Sequence, residues 1–329
     1  MRFVKPAATV ARLTQPRTDE PTRLAVVADP HVTARAEGTP MVYHRSSERL
    51  RTALEDAERR GADAVISAGD LTKDGAPCEY EQLDEILAGS DLPFISVPGN
   101  HDVPKASTEV YEYGDDHETP PVERFERTYA PQEYPFVERV GGVDVLGLNT
   151  ASQPDKSLQQ THDGQVSRDD AAWLETTLET VSNPVVLMHH NTPEMYDQFR
   201  VHREAGYTEM GTPPVLRNPE PLMDVLTAGN APLVLTGHLH NIGVARTGPT
   251  WEVTAPATGS FPQGYLLVDI GPNGTQINYV PVADVKGMTE AHHARWADGP
   301  TSDGYASFAA VRLASLPLVD EHEEERTDP

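Results

Sequence analysis

Residues 24–31 read Leu-Ala-Val-Val-Ala-Asp-Pro-His, a short apolar run with two polar side chains close behind it. Such a run of consecutive apolar residues is typical of a strand buried on both faces of a sheet. In open α/β sheets, the carboxyl ends of the strands converge on the crevice that binds the ligand. The stretch therefore predicts that Asp29 and His31 lie at a binding site.

Four further blocks repeat this arrangement, after apolar runs at residues 64–68, 94–97, 185–188 and 233–236. The residues that follow these runs are Gly69-Asp70, Pro98-Gly99-Asn100-His101-Asp102, His189-His190 and Gly237-His238-Leu239-His240. Taken singly, each block is typical of an ordinary turn or loop. Five blocks in this order, each after a buried run, predict one site of oxygen and imidazole ligands.

Helical patterns lie between most of the apolar runs, and a further apolar run covers residues 143–148. Apolar spacing predicts a helix from Ser46 or Ser47 to Gly61, and others at residues 79–88, 168–181 and 219–228. After His240 the runs become shorter and alternating, as in antiparallel hairpins, at residues 242–246, 250–254, 264–270 and 275–280. The mixture predicts one domain with mixed sheets.

We expect residues 1–22 to form an extension, because they are polar, contain proline and show no clear periodicity. Residues 23–283 are predicted to form the domain, and residues 284–329 a C-terminal segment that ends in a disordered acidic tail. Three stretches interrupt the pattern, at residues 107–121, 151–164 and 191–219. Loops this long are usually functional or disordered, and the aromatic residues of 191–219 predict a substrate cap.

The sequence has 51 acidic residues against 26 basic ones, which gives a formal net charge of −25 over 329 residues. Two explanations stay open: a soluble acidic protein from a GC-rich genome, or adaptation to a high-salt cytoplasm, where self-repulsion is screened. Either surface repels long nucleic acids, because their binding depends on neutralising phosphates with Lys and Arg. We therefore expect no nucleic-acid partner.

Cys78 is the single cysteine, which excludes an internal disulfide and a cage of thiolate ligands. No run approaches the roughly 18 apolar residues of a membrane span. The first residues lack the continuous apolar run of a secretory signal. We therefore expect a cytoplasmic protein with no membrane partner.

The five blocks together resemble the motifs of the calcineurin-like metallophosphoesterases, and the resemblance covers residues 23–280. It implies an α/β fold, a four-layer αββα sandwich of two mixed β-sheets flanked by helices. It also implies a centre of two divalent metal ions. The implied ligands are Asp29, His31, Asp70 and His240 for one ion, and Asp70, Asn100, His189 and His238 for the other, with Asp70 as the bridge.

These ligand types suit Mn, Fe, Zn, Co or Ni, because carboxylate, amide and imidazole groups are present without thiolate. Two divalent ions about 3.5–4 Å apart can bridge a hydroxide that attacks the phosphoester in line. The resemblance implies that His101 protonates the leaving alkoxide and that Asp102 orients His101. His190 is expected to be a pocket residue rather than a ligand.

Departures from the family pattern narrow the subclass. Purple acid phosphatases have Gly in place of His31 and Tyr in place of Lys73, and Ser/Thr protein phosphatases have Arg in place of Asp74 and Glu in place of Asp102. Bacterial 5′-nucleotidases add a large C-terminal domain, for which residues 281–329 are too short. The net charge of −25 argues against a DNA-repair nuclease.

The group that the chain then resembles is the class III cyclic nucleotide phosphodiesterases and their relatives. The residues that carry this resemblance are Gly164-Gln165-Val166-Ser167, Ala172-Trp173-Leu174 and Leu178, which match a helix that precedes the histidine strand of that group. The loop after His190 differs, since the group often has Pro-Pro where this chain has Asn191-Thr192. We expect this loop to border the substrate.

These patterns favour a metal-dependent phosphoric ester hydrolase that acts on a small phosphodiester, cyclic nucleotides included, or on a phosphomonoester. Two alternatives stay open: a non-catalytic scaffold that keeps the fold, and a nuclease. A scaffold typically loses metal ligands or the acid histidine, whereas all eight of these residues are present here. The sequence does not fix the substrate, the metals or the oligomeric state.

Overall fold

Short apolar runs form the strands at the centre of the molecule, because their side chains alternate between two buried faces. The computed structural model describes residues 7–33, 41–104, 118–152, 162–228 and 231–323. Within these ranges the strands are β1 (Ala8–Leu13), β2 (Thr22–Val27), β3 (Ala64–Ser67), β4 (Phe94–Ser96), β5 (Phe136–Val140), β6 (Val143–Gly147), β7 (Gly164–Gln165), β8 (Pro184–Leu187), β9 (Leu216–Arg217), β10 (Leu233–Thr236), β11 (Gly243–Thr247), β12 (Thr250–Thr254), β13 (Gly264–Gly271), β14 (Gly274–Pro281) and β15 (Val319–Asp320).

The helices of the same ranges lie mostly between these strands in the sequence. They are α1 (Ser46–Arg59), α2 (Pro77–Leu87), α3 (Val122–Tyr129), α4 (Arg168–Leu178), α5 (Pro193–Glu204), α6 (Glu220–Ala228), α7 (Val285–Trp296) and α8 (Pro300–Ala314).

Two mixed sheets carry the fold. Among the described residues, the first has the order β15-β1-β14-β13-β2-β3-β4, and the second has the order β11-β12-β10-β8-β6-β5. Strands β2, β3 and β4 are parallel to one another, as are β6, β8, β10 and β12. Antiparallel strands flank both parallel groups. Because parallel strands end at one edge of a sheet, the loops after them are brought together.

Alternating side chains create three buried layers. Leu24 and Val26 of β2 join the core between the two sheets, together with Leu187 and Leu235 of the second sheet. Their neighbours on β2 pack instead against α1, α2 and α3. On the far side, the second sheet packs against α4 and α6. Helices thus cover the outer face of each sheet, which confirms the predicted α/β fold as a four-layer sandwich.

The predicted buried strands, hairpin strands and four helices are all observed, with ends that shift by at most three residues. Of the stretches that interrupt the pattern, residues 107–117 and 153–161 lie outside the described residues. The remaining interruption, residues 191–219, is not a plain loop, because it contains α5 and β9, and α5 buries Met195 and Phe199 against the protein. Its role as a substrate cap stays a prediction.

Residues 1–22 differ from the expected extension, because their described part contributes β1 to the first sheet. β1 pairs with β14 on one side and with β15 on the other. A β-bulge between Thr9 and Ala11 buries both Val10 and Ala11, which breaks the alternation that a regular strand shows. This irregularity removes the sequence signal that would identify the strand.

Residues 284–329 contain α7, α8 and β15 ahead of the predicted acidic tail. Of the acidic tail predicted at the end of this segment, residues 324–329 lie outside the described residues. Glu321 does not behave as a free tail residue, since it accepts hydrogen bonds from the backbone N–H of Thr14 and from Trp251 Nε1. The predicted domain boundaries at residues 22 and 283 stay predictions. Elements from both sides of each boundary pack on the same sheets.

We expect Asp56→Asn to lower the free energy of unfolding by about 1–2 kcal/mol at pH 7, because charged hydrogen bonds to a buried group are lost. Asp56 accepts bonds from Arg60 Nε at 2.6 Å, Tyr265 OH at 2.9 Å and Arg59 Nη2 at 3.0 Å. Burial acts to raise the pKa of Asp56, but these bonds outweigh it and hold the pKa below its ordinary 3.8.

Because the folded-state pKa is depressed, the stabilisation is complete above pH 3.8 and is lost as the pH falls through the folded value. Urea unfolding from pH 7 to pH 3 should therefore show the curves of wild type and variant converging in acid. The control, Glu85→Gln on the exposed side of α2, should change stability by less than about 0.5 kcal/mol. Equal stability of Asp56→Asn and wild type at pH 7 would contradict this account.

Candidate metal centre

The polar residues that follow five buried strands lie at one edge of the two sheets. Five of the seven predicted ligands have a left-handed backbone conformation, with φ of 48° at Asp29, 44° at His31, 52° at Asp70, 68° at His238 and 52° at His240. This region costs non-glycine residues of order 1–3 kcal/mol each and is typical of functional sites. The strain indicates that these loops are shaped for their side chains.

The first cluster consists of Asp29, His31, Asp70 and His240, whose ligand atoms all lie within 4.8 Å of one another. The Nε2 atoms of His31 and His240 are 3.1 Å apart, and His240 Nε2 is 3.2 Å from Asp29 Oδ1. Asp29, His31 and Asp70 are almost completely buried. Four donor atoms thus converge on one small space.

The second cluster is built around His189. Its Nε2 atom is 3.2 Å from Asn100 Oδ1 and 3.4 Å from Asp70 Oδ2. The ring of His238 lies 5.0 Å from the ring of His189. His189, His190 and His238 also bring nitrogen atoms within 4.8 Å of one another. The predicted second ligand set, Asp70, Asn100, His189 and His238, is therefore brought together.

A single oxygen atom joins the two clusters. Asp70 Oδ2 lies 3.4 Å from His189 Nε2 and 3.6 Å from His31 Nε2. A carboxylate oxygen shared by two groups of imidazoles is the arrangement that a bridging ligand requires. This geometry agrees with the role that the family resemblance implies for Asp70.

Neighbouring backbone carbonyls orient two of the histidines. His189 Nδ1 donates to the carbonyl of Ala68 at 2.6 Å, which leaves Nε2 directed at Asp70 and Asn100. His238 Nε2 donates to the carbonyl of Pro214 at 3.3 Å, which leaves Nδ1 free. Such bonds to the second ring nitrogen fix the tautomer of a metal-binding histidine.

The protonation states also fit a cation. Burial lowers the pKa of His31 and of His238, so both rings are neutral. Burial acts to lower the pKa of His189, but the carboxylate of Asp70 outweighs it and raises the pKa to about 9. A cation at His189 must therefore displace a proton, since imidazole binds metals in its neutral form. The donor set of oxygen and nitrogen atoms suits divalent transition metals.

His101 lies beside both clusters without belonging to either. Its ring packs edge-on against His31, with centroids 4.7 Å apart. Its Nδ1 atom is hydrogen-bonded to the carbonyl of Lys73, and its backbone N–H donates to Asp70 Oδ1 at 2.8 Å. The Nε2 side of the ring is therefore the side from which a proton can be exchanged.

Asp102 does not orient His101 in the way that the resemblance implies. Its carboxylate accepts hydrogen bonds from the backbone N–H groups of Gly99, Leu71 and Thr72, at 2.8–3.0 Å, and from the Thr72 hydroxyl. The carbonyl of Lys73 takes the place expected for Asp102 at the His101 ring. Asp102 instead fastens the loop after β4 to the loop after β3, and so places His101 indirectly.

His162 is a site residue that the sequence reasoning missed. Its ring stacks on that of His101 with centroids 5.2 Å apart, and its Nδ1 atom lies 2.8 Å from Asn100 Nδ2. Its carbonyl accepts a bond from His190 Nε2 at 3.0 Å. The available signal is its place two residues before Gly164, at the end of the polar stretch at residues 151–164.

His190 faces protein groups at both ring nitrogens. Nε2 donates to the carbonyl of His162, and Nδ1 is 2.9 Å from the hydroxyl of Thr150. Burial, together with His189, lowers the pKa of His190 to about 3, so the ring is neutral. His190 therefore has no ring nitrogen left for a cation.

The loop after His190 rests on a buried carboxylate. Glu252 of β12 is 1 % exposed and accepts hydrogen bonds from the backbone N–H of Thr192, from Asn191 Nδ2 and from the Thr236 hydroxyl. These contacts join the ends of β8 and β10, which carry His189 and His238. Asn191 and Thr192, expected to border the substrate, thus face the interior.

A family model described as calcineurin-like phosphoesterase matches residues 22–241. This span is most of the chain and contains all seven predicted ligands. The chain belongs to the calcineurin-like phosphoesterase family. Membership confirms the resemblance drawn from the five motif blocks, and with it the predicted enzyme class, a phosphoric ester hydrolase.

This calcineurin-like phosphoesterase is similar in structure to a dimetal phosphatase from Danio rerio, with a TM-score of 0.60 and 14 % identity over 81 % of this chain and 98 % of that one. At this identity the likeness shows the fold alone. In sequence it is 26 % identical to a probable cyclic nucleotide phosphodiesterase of Synechococcus sp., over 71 % of this chain and 84 % of the relative. It is 24 % identical to a 3′,5′-cyclic-nucleotide phosphodiesterase of Nostoc sp., over 67 % and 72 % of the two chains.

None of the helices in the described part of the calcineurin-like phosphoesterase is both long and apolar enough to cross a membrane.

We expect Asp102→Asn to lower the free energy of unfolding of the metal-free protein by about 2–3 kcal/mol, because the amide NH2 would face backbone N–H groups that need an acceptor. Urea unfolding followed by circular dichroism measures the difference. The control, the exposed Asp91→Asn, should stay within about 0.5 kcal/mol of wild type. A similarly small change for Asp102→Asn would show that its carboxylate does not fasten the two loops.

Proposed function

We propose that the protein hydrolyses small phosphodiesters at a centre of two divalent metal ions. Asp29, His31, Asp70 and His240 would hold one ion, and Asp70, Asn100, His189 and His238 the other. The observation that carries this proposal is the position of Asp70 Oδ2, within 3.4 Å and 3.6 Å of imidazole nitrogens from both clusters. When bound, such ions stabilise phosphoryl oxygens as Lewis acids and lower the pKa of the attacking water.

The chain's own residues supply binding, orientation and the proton for the leaving group. A carbonyl can only accept, so the bond to Lys73 keeps a proton on Nδ1 of His101 in both charge states. The exchangeable proton is therefore on Nε2, where the imidazolium can donate it to the leaving alkoxide. The bond from the His101 backbone to Asp70 Oδ1 fixes this ring relative to the metal ligands.

A phosphodiester is preferred as substrate because the relatives reported above carry cyclic nucleotide phosphodiesterase names. A small ester also agrees with the net charge of −25, which disfavours a long polyanion. Manganese is proposed as an activating metal, because the carboxylate and amide oxygens of the predicted ligand set suit it. The alternatives of a scaffold or a nuclease gain no support from the geometry of the described residues.

We expect manganese-stimulated hydrolysis of bis-p-nitrophenyl phosphate that is abolished by Asp70→Asn, because this substitution removes the shared carboxylate from both clusters. Release of p-nitrophenolate measures the rate, and metal analysis after gel filtration measures the bound ions. Asp91→Asn, at an exposed position, should keep wild-type activity. No turnover of a broad ester panel with Mn, Fe, Co, Ni or Zn would falsify the proposal, and protein without bound metal would favour the scaffold.

We expect His101→Ala to lower kcat by roughly 10²–10⁴-fold for a cyclic nucleotide, whose leaving group is an alkoxide that needs a proton. The loss should be much smaller for bis-p-nitrophenyl phosphate, because p-nitrophenolate leaves readily as an anion. Steady-state kinetics on both substrates give the ratio, with the exposed His293→Ala as control. Equal losses on both substrates would show that His101 is not the proton donor.

A further inference from the structure

A buried arginine from the C-terminal helices reaches the loop between β10 and β11. Arg295 of α7 is 4 % exposed. Its Nη1 atom donates to the carbonyl of His240 at 2.7 Å and also to the carbonyl of Phe261, and Nη2 lies 3.4 Å from the carbonyl of Leu239. The guanidinium also stacks over the ring of Tyr305 of α8, at 5.7 Å. Backbone carbonyls and an aromatic ring thus surround the charge.

This arrangement is costly, because a buried charge is normally paired with an opposite charge. Among the described residues, no carboxylate lies within ion-pair distance of Arg295. Burial accordingly lowers its pKa to about 10, which still leaves the group charged at neutral pH. The charge is therefore stabilised by the three carbonyl oxygens that accept hydrogen bonds from Nη1 and Nη2.

Two of the three carbonyls that Arg295 contacts, those of Leu239 and His240, belong to a strained segment. His238 and His240 both have left-handed backbone conformations, with φ of 68° and 52°. β10 ends at Thr236 and β11 begins at Gly243, so Leu239 and His240 lie between the two strands. The planar fork of the guanidinium donates to two successive carbonyls from two nitrogen atoms of fixed geometry, whereas an ammonium group is a single point charge on a flexible stem.

Leu239, which lies between His238 and His240, is also held in part by the C-terminal helix α8. Leu239 is buried in a hydrophobic cluster with Met195 and Phe199 of α5, Met210, and Phe308 of α8. The loop is thus held through its backbone by α7 and through its Leu239 side chain by α5 and α8. By contrast, the backbone N–H of His238 donates to Asp29 Oδ1 at 3.0 Å, and its ring is held by Pro214. His238 therefore has anchors that do not involve Arg295.

We propose that Arg295 is a positioning residue for His240, so that α7 and α8 set the affinity of the protein for the cation held by Asp29, His31 and His240. The inference rests on the proposed function only in requiring that this cluster binds a metal. His240 belongs to the first cluster alone. Loss of the hydrogen bonds from Arg295 to the loop should therefore lower the metal affinity of the first cluster and leave that of the second unchanged.

The direction in which the metal affinity changes when Arg295 is replaced distinguishes a positioning role from a purely electrostatic one. A guanidinium near the first cluster repels a cation. If Arg295 acted through its charge alone, replacing it with an apolar residue would therefore make the protein bind the metal more tightly. The hydrogen bonds act in the opposite direction, because they hold His240 in its strained conformation. Outer partners of metal ligands typically contribute 10–100-fold in affinity.

The test compares Arg295→Met and Arg295→Lys with Arg246→Met. Arg246 is a matched control, because its guanidinium also stacks on an aromatic ring, that of Trp251 at 4.8 Å, and donates to a backbone carbonyl, that of Gly248 at 3.0 Å, at the end of β11 away from the β10–β11 loop. Cobalt(II) titration is followed by calorimetry and by the visible absorption spectrum, on protein shown to be folded by circular dichroism. We expect wild type and Arg246→Met to bind two equivalents with unchanged affinity.

For Arg295→Met we expect one equivalent at wild-type affinity and the other weakened by at least about tenfold. Arg295→Lys keeps the charge but not the fork, and should show a smaller loss at the same site. If Arg295→Met does not fold, Arg295→Lys becomes the test. Cobalt binding by Arg295→Lys with wild-type affinity at both sites would then contradict the proposal. Wild-type or tighter binding by Arg295→Met, or an equal loss at both sites, would overturn it.

The outcome is distinguishable from a failure of the proposed function. If wild type binds two equivalents of cobalt and Arg295→Met loses one, the inference holds even where no phosphoester is hydrolysed. If wild type binds no cobalt, both proposals fail.

Discussion

Asp70 is the group on which the arrangement of the site depends, since one of its oxygens lies between the imidazoles of both clusters. The loops around it must come unusually close. A Cβ atom on Gly99 would lie 2.1 Å from Asp70 Oδ1, so position 99 admits only glycine while the carboxylate keeps its place. The same carboxylate receives the backbone N–H of His101. One side chain thereby determines where the predicted metal ligands and His101 stand relative to each other.

The parts of the fold that the sequence predicted are those in which periodicity and burial coincide. β2 and β10 are short runs buried on both faces, and a polar block directly follows each of them, so both the strand and the ligands were visible. β1 was not visible, because its bulge breaks the alternation. The helix α5 was missed because it buries only two side chains, Met195 and Phe199, along twelve residues.

Within the site, residue types were predictable but partners were not. The seven positions of the predicted ligands follow from the strand ends, which are a property of the local sequence. His162 is distant in sequence from the residues that it contacts, and only the folded chain brings it to Asn100 and His101. The contacts of Asp102 are likewise tertiary: its two oxygens bond to amides of a loop thirty residues away. A motif identifies such a carboxylate without saying which groups it will hold.

Buried charged groups lie around the site, next to the loops in which the chain no longer forms the regular hydrogen bonds of a sheet. Asp102, Glu252 and Arg295 are each nearly inaccessible to solvent, and each bonds to backbone groups of a ligand-bearing loop. Burial of such groups costs folding free energy. In return, irregular segments with left-handed residues are held in one conformation.

The position of β1 has a consequence for how the protein is made. β1 comes first among the described strands to leave the ribosome, yet its partners β14 and β15 lie at the other end of the sequence, with Ala8 opposite Tyr279. Such a distant pairing closes a very long loop and is intrinsically slow. The first sheet therefore cannot be completed during translation until β14 has emerged. Until then, the apolar side chains of β1 cannot take their places in the core between the two sheets.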